Sequence, residues 1–167
     1  CELGEHEAAR TLLQEACELA RRNDDPQETA FCLNFLAAVA WWQGSEPWAL
    51  QLWHDSLAAS RTCGDDVGAA AALYSLAWCH STANELQMAR QFAEEGLVLS
   101  RQIGHTYRAA HFLDQLGAVA LGVGDAPAAI GCYREAVPLF RELNDRHGMA
   151  LTLAGLGRSM YIADQYL

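Results

Sequence analysis

Leu33, Leu36, Ala37 and Ala40 stand at i, i+3, i+4 and i+7, the spacing that puts apolar side chains on one face of a helix and not the two-residue alternation of a half-buried strand. The stripe then returns in register. Leu36-Ala37, Leu76-Ala77, Leu116-Gly117 and Leu156-Gly157 recur every 40 residues, each with a Leu three positions earlier at Leu33, Leu73, Leu113 and Leu153. A ladder of small residues, Ala9, Ala49, Ala89 and Ala129, keeps the same period. Two further ladders, Gly4, Gly44, Asn84, Gly124, Asp164 and Asp24, Gly64, Gly104, Asn144, hold residue types that tolerate the left-handed conformation ending many helices. Two such turns per repeat mean two helices per repeat. The small residue after each Leu, facing the Ala ladder, lets the two helices approach closely.

The turns predict helices near 5–22, 27–43, 46–62, 66–82, 85–103, 106–122, 126–143 and 147–163. Glu5, Ser45, Glu85 and Asp125, with Asp25, Asp65 and Asp145, are suited to caps or first-turn charges. Pro26, Pro47 and Pro127 sit where a helix starts, whereas Pro138 falls inside one and predicts a kink or a lost hydrogen bond.

Composition narrows the functional classes. Hydrophobic residues make up 51% and charged ones 19% of the 167 residues, so the chain has the apolar content to bury a core. The formal net charge of -10 repels phosphate backbones and anionic lipid, which argues against direct binding of nucleic acid or a membrane surface. No stretch approaches about eighteen uncharged apolar residues, as a membrane span requires. The six cysteines form no C-x-x-C pair, and no signal peptide or N-x-S/T sequon is present, so reduced, mostly buried thiols in the cytoplasm are expected. All 11 basic residues are Arg, a usage typical of GC-rich bacterial genomes.

With these ladders the chain resembles the tetratricopeptide repeat (TPR) family. The third repeat matches in order through Leu113, Leu116, Gly117, Gly124, Asp125, Ala129, Tyr133 and Ala136. The first carries Trp53 at the aromatic position and Ser56 in place of the last Ala; the second departs more, with His80, Asn84, Ala93 and Gly96, but keeps Leu73, Leu76, Ala77 and Ala89. The resemblance implies an all-α, right-handed superhelical solenoid of antiparallel helix pairs, about eight helices in one array. Residues 1–24 are then the second helix of an incomplete repeat, 25–64, 65–104 and 105–144 are full repeats, and 145–167 is the first helix of another. On this phase the chain reads as a fragment of a longer protein. The 40-residue length resembles the long-repeat variety found in partner-binding scaffolds and in sensor regions of multidomain bacterial transcription regulators.

Catalytic chemistry is not visible. There is no G-x-S-x-G, H-E-x-x-H, P-loop or EF-hand motif. Gly155-Leu156-Gly157 lies in a predicted helix with no strand before it, and reads as close packing. Cys79 and His80 point about 100° apart on a helix, which suits core filling and not one metal ion. His6, His54, His105 and His147 fall near helix ends or on polar faces and are expected in solvent. No cofactor, metal or catalytic residue is expected, and the chain is read as a non-enzyme.

The resemblance instead points to the positions on each first helix that line the concave inner face in this family. These are Phe31, Asn34, Ala38 and Trp41; Ala71, Tyr74, Trp78 and Ser81; His111, Asp114, Ala118 and Leu121; and Leu151, Ala154, Arg158 and Tyr161. Asn34, Trp41, Tyr74, Trp78, His111, Asp114, Arg158 and Tyr161 are the candidate partner-binding residues, able to stack on side chains and hydrogen-bond an extended backbone. Two readings stand for the aromatic residues, an open groove or a seam between repeats, and one of Trp41 and Trp42 can be packed between repeats. Asp114 and Arg158 can equally pair with each other. The positions where chaperone-tail adaptors of the family use Lys and Asn hold Asn34/Ala38, Tyr74/Trp78 and Asp114/Ala118, which argues against that role. The expected function is therefore a non-catalytic protein- or peptide-binding module of a cytosolic regulator or scaffold. The alternative is a small-molecule sensor region of a multidomain bacterial transcription regulator. The apolar residues of helix 147–163 predict self-association through that helix.

Overall fold

The computed structural model describes residues 2–165, with side chains from residue 7 onward; Cys1 and the side chains of Glu5 and His6 lie outside the described residues. The described residues form eight α-helices and no strand: α1 (Glu2–Arg22), α2 (Pro26–Trp42), α3 (Glu46–Cys63), α4 (Asp66–Thr82), α5 (Leu86–Gln102), α6 (Thr106–Gly122), α7 (Ala126–Glu142) and α8 (Arg146–Gln165). Successive first helices start 40 residues apart, at Pro26, Asp66, Thr106 and Arg146.

The turn chemistry explains this regularity. Asp24, Gly44, Gly64, Asn84, Gly104, Gly124 and Asn144 all adopt positive φ, between 54° and 82°. After each, the next N–H reaches back five residues: Asp25 to the Ala20 carbonyl, Ser45 to Ala40, Asp65 to Ser60, and so on to Asp145 and Phe140, at 2.8–3.0 Å. This double-bonded helix ending satisfies carbonyls that would otherwise be orphaned. Gly4 and Asp164, members of the same ladder, lie inside α1 and α8, because such residues tolerate a turn without enforcing one.

The helix starts are capped unevenly. Asp25, Asp65, Asp125 and Asp145 accept the backbone N–H three residues on, at 2.9–3.0 Å. His105 does the same through Nδ1 at 3.4 Å. Ser45 and Glu85 make no such bond; the Glu85 carboxylate sits 2.5 Å from His80 Nδ1 instead. Pro138 leaves α7 continuous. Its missing N–H deprives the Arg134 carbonyl of a donor, and both residues are exposed, so water can replace the bond.

The chain divides into two compact units, Cys1–Leu76 and Ala77–Leu167, with the boundary inside α4. In the first, α2 packs on both α1 and α3. Ala30, Leu33, Ala37 and Ala40 of α2 and Ala49, Trp53 and Ser56 of α3 are buried. Ser56, standing where the family has Ala, donates its hydroxyl to the Ala30 carbonyl at 2.8 Å. In the second unit, α5 to α8 pack each on the next, and α6 also touches α8. There the small residues serve as seats for rings. A Cβ on Gly96 would collide with Phe112 and one on Gly148 with Phe140, while one on Gly117 or Gly155 would come within 2.6 Å of the Tyr133 ring. Tyr133 is thus wedged against α6 and α8 at once.

Candidate functional site

Helical period alone does not say which side of a first helix faces a neighbour; the packing does. In α2 the positions Ala30, Leu33, Ala37 and Ala40 are buried, and in α6 so are Ala110, Leu113, Gly117 and Ala120. The expected inner-face series lies one residue further along the turn. Every member of it, from Phe31 to Tyr161, is half-buried or exposed.

In the first unit Asn34, Trp41 and Tyr74 are half-buried and Phe31 is exposed, its ring 4.8 Å from the exposed Phe35. The Asn34 amide oxygen is buried with no hydrogen-bond partner among the described residues. Trp41 leans on Trp53 of α3, ring centres 6.2 Å apart, whereas Trp42 is 76% exposed. Trp41 is therefore partly a packing residue of its own helix pair.

In the second unit Trp78 is exposed at 36% and Tyr161 at 68%, and Arg158 is exposed. His111 is held on three sides: Tyr107 at 4.4 Å, Phe140 edge-on at 4.9 Å, and the Asp145 carboxylate 3.8 Å from Nε2. Asp114 accepts the Thr152 hydroxyl at 2.7 Å, which links α6 to α8. Burial pushes the Asp114 carboxyl above the usual carboxylate range, although the Thr152 bond and His111 draw it down. The Tyr133 hydroxyl is pushed up to about 12 by burial and by Asp114, against the opposing pull of Arg158, which hydrogen-bonds it. His111, Asp114, Tyr133, Thr152 and Arg158 thus form a polar cluster on α6, α7 and α8. Thr152 and Tyr133 were missed as members. Thr152 could have been found, since it is the hydroxyl-bearing residue in the ladder Cys32, Ala72, Phe112, Thr152, whose members are all buried.

Burial holds His111 below its ordinary value, against Asp145 and Asp114, which raise it. As the pH falls below about 6.5, the unfolded imidazole takes up a proton that the folded one does not, so stability should decline toward acid through this window. His111→Asn should flatten that decline in denaturant melts run at a series of pH values; an unchanged slope would mean other groups cause it.

His80 is buried and stacks on Phe92 at 5.4 Å, and Cys79 is buried beside it, so both fill the core. Of the described cysteines, Cys17, Cys32 and Cys79 are buried, Cys132 is half-buried and Cys63 exposed, all as reduced thiols. Among the described residues no cluster of three His, Cys, Asp or Glu could hold a metal, and no helix is long and apolar enough to cross a membrane. A recess of about 470 Å³ in the second unit is lined by Leu121, Gly124, Ile162 and Gln165; only Leu121 belongs to the inner-face series.

No family model matches the sequence, and no curated protein matches it. Solved structures do. The chain is similar to BtubC (BKLC) from P. vanneervenii, with a TM-score of 0.75 at 17% identity over 86% of this chain. It spans 60% of the length of that protein. It is also similar to a putative kinesin light chain from Podosopora anserina with nearly identical TPR-like repeats, with a TM-score of 0.75 at 13% identity, over 98% of this chain and 82% of that one. A variant of the latter gives a TM-score of 0.76. The fold is therefore an all-α, TPR-like helical-repeat solenoid.

Proposed function

We propose that this chain is a non-catalytic module that binds a protein or peptide segment through the inner face of its first helices, within a cytoplasmic regulator or scaffold. The observation that carries the reading is the inner-face series itself. The positions that the resemblance assigns to the inner face are all half-buried or exposed, and the series holds aromatic rings together with Asn34, His111, Asp114 and Arg158. Such a surface suits an extended segment, with rings for its side chains and amide, carboxylate and guanidinium groups for its backbone and charges. In the second unit the polar groups are held by Thr152, Tyr133 and Asp145, so little side-chain entropy is lost on binding. The same reading assigns the chain to the long, 40-residue repeat type, as one array of repeats. We also propose that it self-associates through α8, where Leu151, Leu153, Met160 and Tyr161 are exposed.

Selection of a random peptide library on the immobilised 167-residue chain tests the binding reading. The enriched peptides should bind Trp78→Ala, Tyr161→Ala or Asp114→Ala at least about tenfold more weakly, a loss of ~1.4 kcal/mol or more. Leu12→Ala, exposed on α1 at 66%, should leave their affinity unchanged. Peptides that tolerate all four substitutions alike would end the inner-face reading.

A further inference from the structure

Cys17 of α1 and Cys32 of α2 are both buried, at 3% and 7% exposure, and α1 packs on α2. The repeat shows why they meet. In the second unit the Phe112 ring of α6 fills the space that a Cβ on Gly96 of α5 would need, so position 112 faces the turn of the preceding helix that holds Gly96 and Leu97. Two repeats earlier the same positions are Cys32, Ala16 and Cys17. The contact is direct, for the Cys17 thiol donates a hydrogen bond to the Cys32 sulfur.

Packing alone does not ask for sulfur here. The other helix pairs fill these two places with Leu57 and Ala72, Leu97 and Phe112, and Val137 and Thr152. Only the first pair sets one oxidisable group against another. Burial pushes the Cys17 thiol up to about 11, Cys32 adds to the rise, and Arg21 one turn further on opposes it. Burial and then Glu28 push Cys32 up, while the hydrogen bond from Cys17 draws it back. Cys32, the more exposed sulfur and the acceptor of that bond, is therefore the better placed to give up its proton and react first.

We infer that Cys17 and Cys32 form a redox modification site, at which an oxidant of the peroxide class joins them in an intramolecular disulfide that staples α1 to α2. The Cys32 thiolate attacks one peroxide oxygen; the O–O bond breaks, a sulfenic acid is left on Cys32, and the departing hydroxide takes up the thiol proton as water. The Cys17 sulfur then attacks the Cys32 sulfur, the S–S bond forms as the S–O bond breaks, and hydroxide leaves with the Cys17 proton as a second water. The two thiols lose two electrons and two protons in all, and the peroxide is reduced to water. The bond closes the turn between α1 and α2 into a loop and so restricts the unfolded chain. It also ties down the helix that carries Phe31 and Asn34.

Treatment of the 167-residue chain with hydrogen peroxide, followed by trypsin without reductant and mass spectrometry, tests it. Trypsin cuts after Arg21 and Arg22, between the two cysteines. The disulfide should therefore appear as two peptides joined through Cys17 and Cys32, lighter than their sum by two hydrogen atoms, and dithiothreitol should separate them. The melting temperature should rise by roughly 5 °C or more on oxidation and return on reduction. Cys32→Ala places there the residue type found at Ala72, and Cys17→Val the type found at Val137, so each variant should fold. Neither should show the link or the rise. Cys17 and Cys32 left unlinked while the exposed Cys63 is oxidised would overturn the inference, as would a link of either one to another cysteine, or a linked chain that melts no higher than the reduced one.

Discussion

Phe112→Ala is expected to lower the unfolding free energy of the chain by about 3–5 kcal/mol, which for a domain of this size corresponds to a melting point lower by roughly 6–20 °C. Phe112 is fully buried on α6, and its ring occupies the space that a Cβ on Gly96 of α5 would need. Truncation removes the apolar transfer energy of the ring and leaves a cavity that two rigid helices cannot close. The mirror-image change, Gly96→Ala, should cost about 1–3 kcal/mol in the wild-type chain, because the methyl group has nowhere to go. In the Phe112→Ala background that methyl enters the vacated space, so the double variant should be more stable than the sum of the single changes by at least ~0.5 kcal/mol. Chemical denaturation of the four proteins measures this coupling. Strict additivity would show that ring and glycine do not share one seat.

The second large effect separates a buried tryptophan on a second helix from an exposed one on a first helix. Trp53→Ala should cost about 3–5 kcal/mol, because the indole is 3% exposed in the α2–α3 pair and its removal empties the core. Trp78→Ala should cost clearly less, about 1–2 kcal/mol, since a third of that side chain already meets water and its transfer energy is correspondingly smaller. Thermal melts of the two variants side by side decide the roles. If Trp78→Ala falls as far as Trp53→Ala, Trp78 belongs to the core and leaves the list of binding residues.

The helices were readable within about two residues, apart from the start of α1. The reason is local: a helical stripe and a left-handed turn residue act over four or five neighbouring residues, and here each is repeated in phase. Even the loss of the cap at Ser45 and Glu85 is a local detail beneath that pattern, for the backbone turn closes through Ser45 to Ala40 and Glu85 to His80 regardless. The site was less legible. The positions that the resemblance assigned to the inner face are half-buried or exposed, but it could not tell Trp41, leaning on Trp53, from Trp42, which is 76% exposed.

Nor could it supply the partners of the polar groups. Asp114 was a candidate to pair with Arg158; the structure gives it the Thr152 hydroxyl, and puts Arg158 at the Tyr133 hydroxyl. Spacing along one helix says nothing about a side chain arriving from a helix 20 or 40 residues away. By itself, then, the amino-acid sequence determined the period, the helices and the turns, because those follow from interactions between near neighbours in the chain. Which aromatic residues are exposed and what holds Asp114 and His111 were decided only by tertiary packing, because burial is a property of the neighbouring helix as much as of the residue itself.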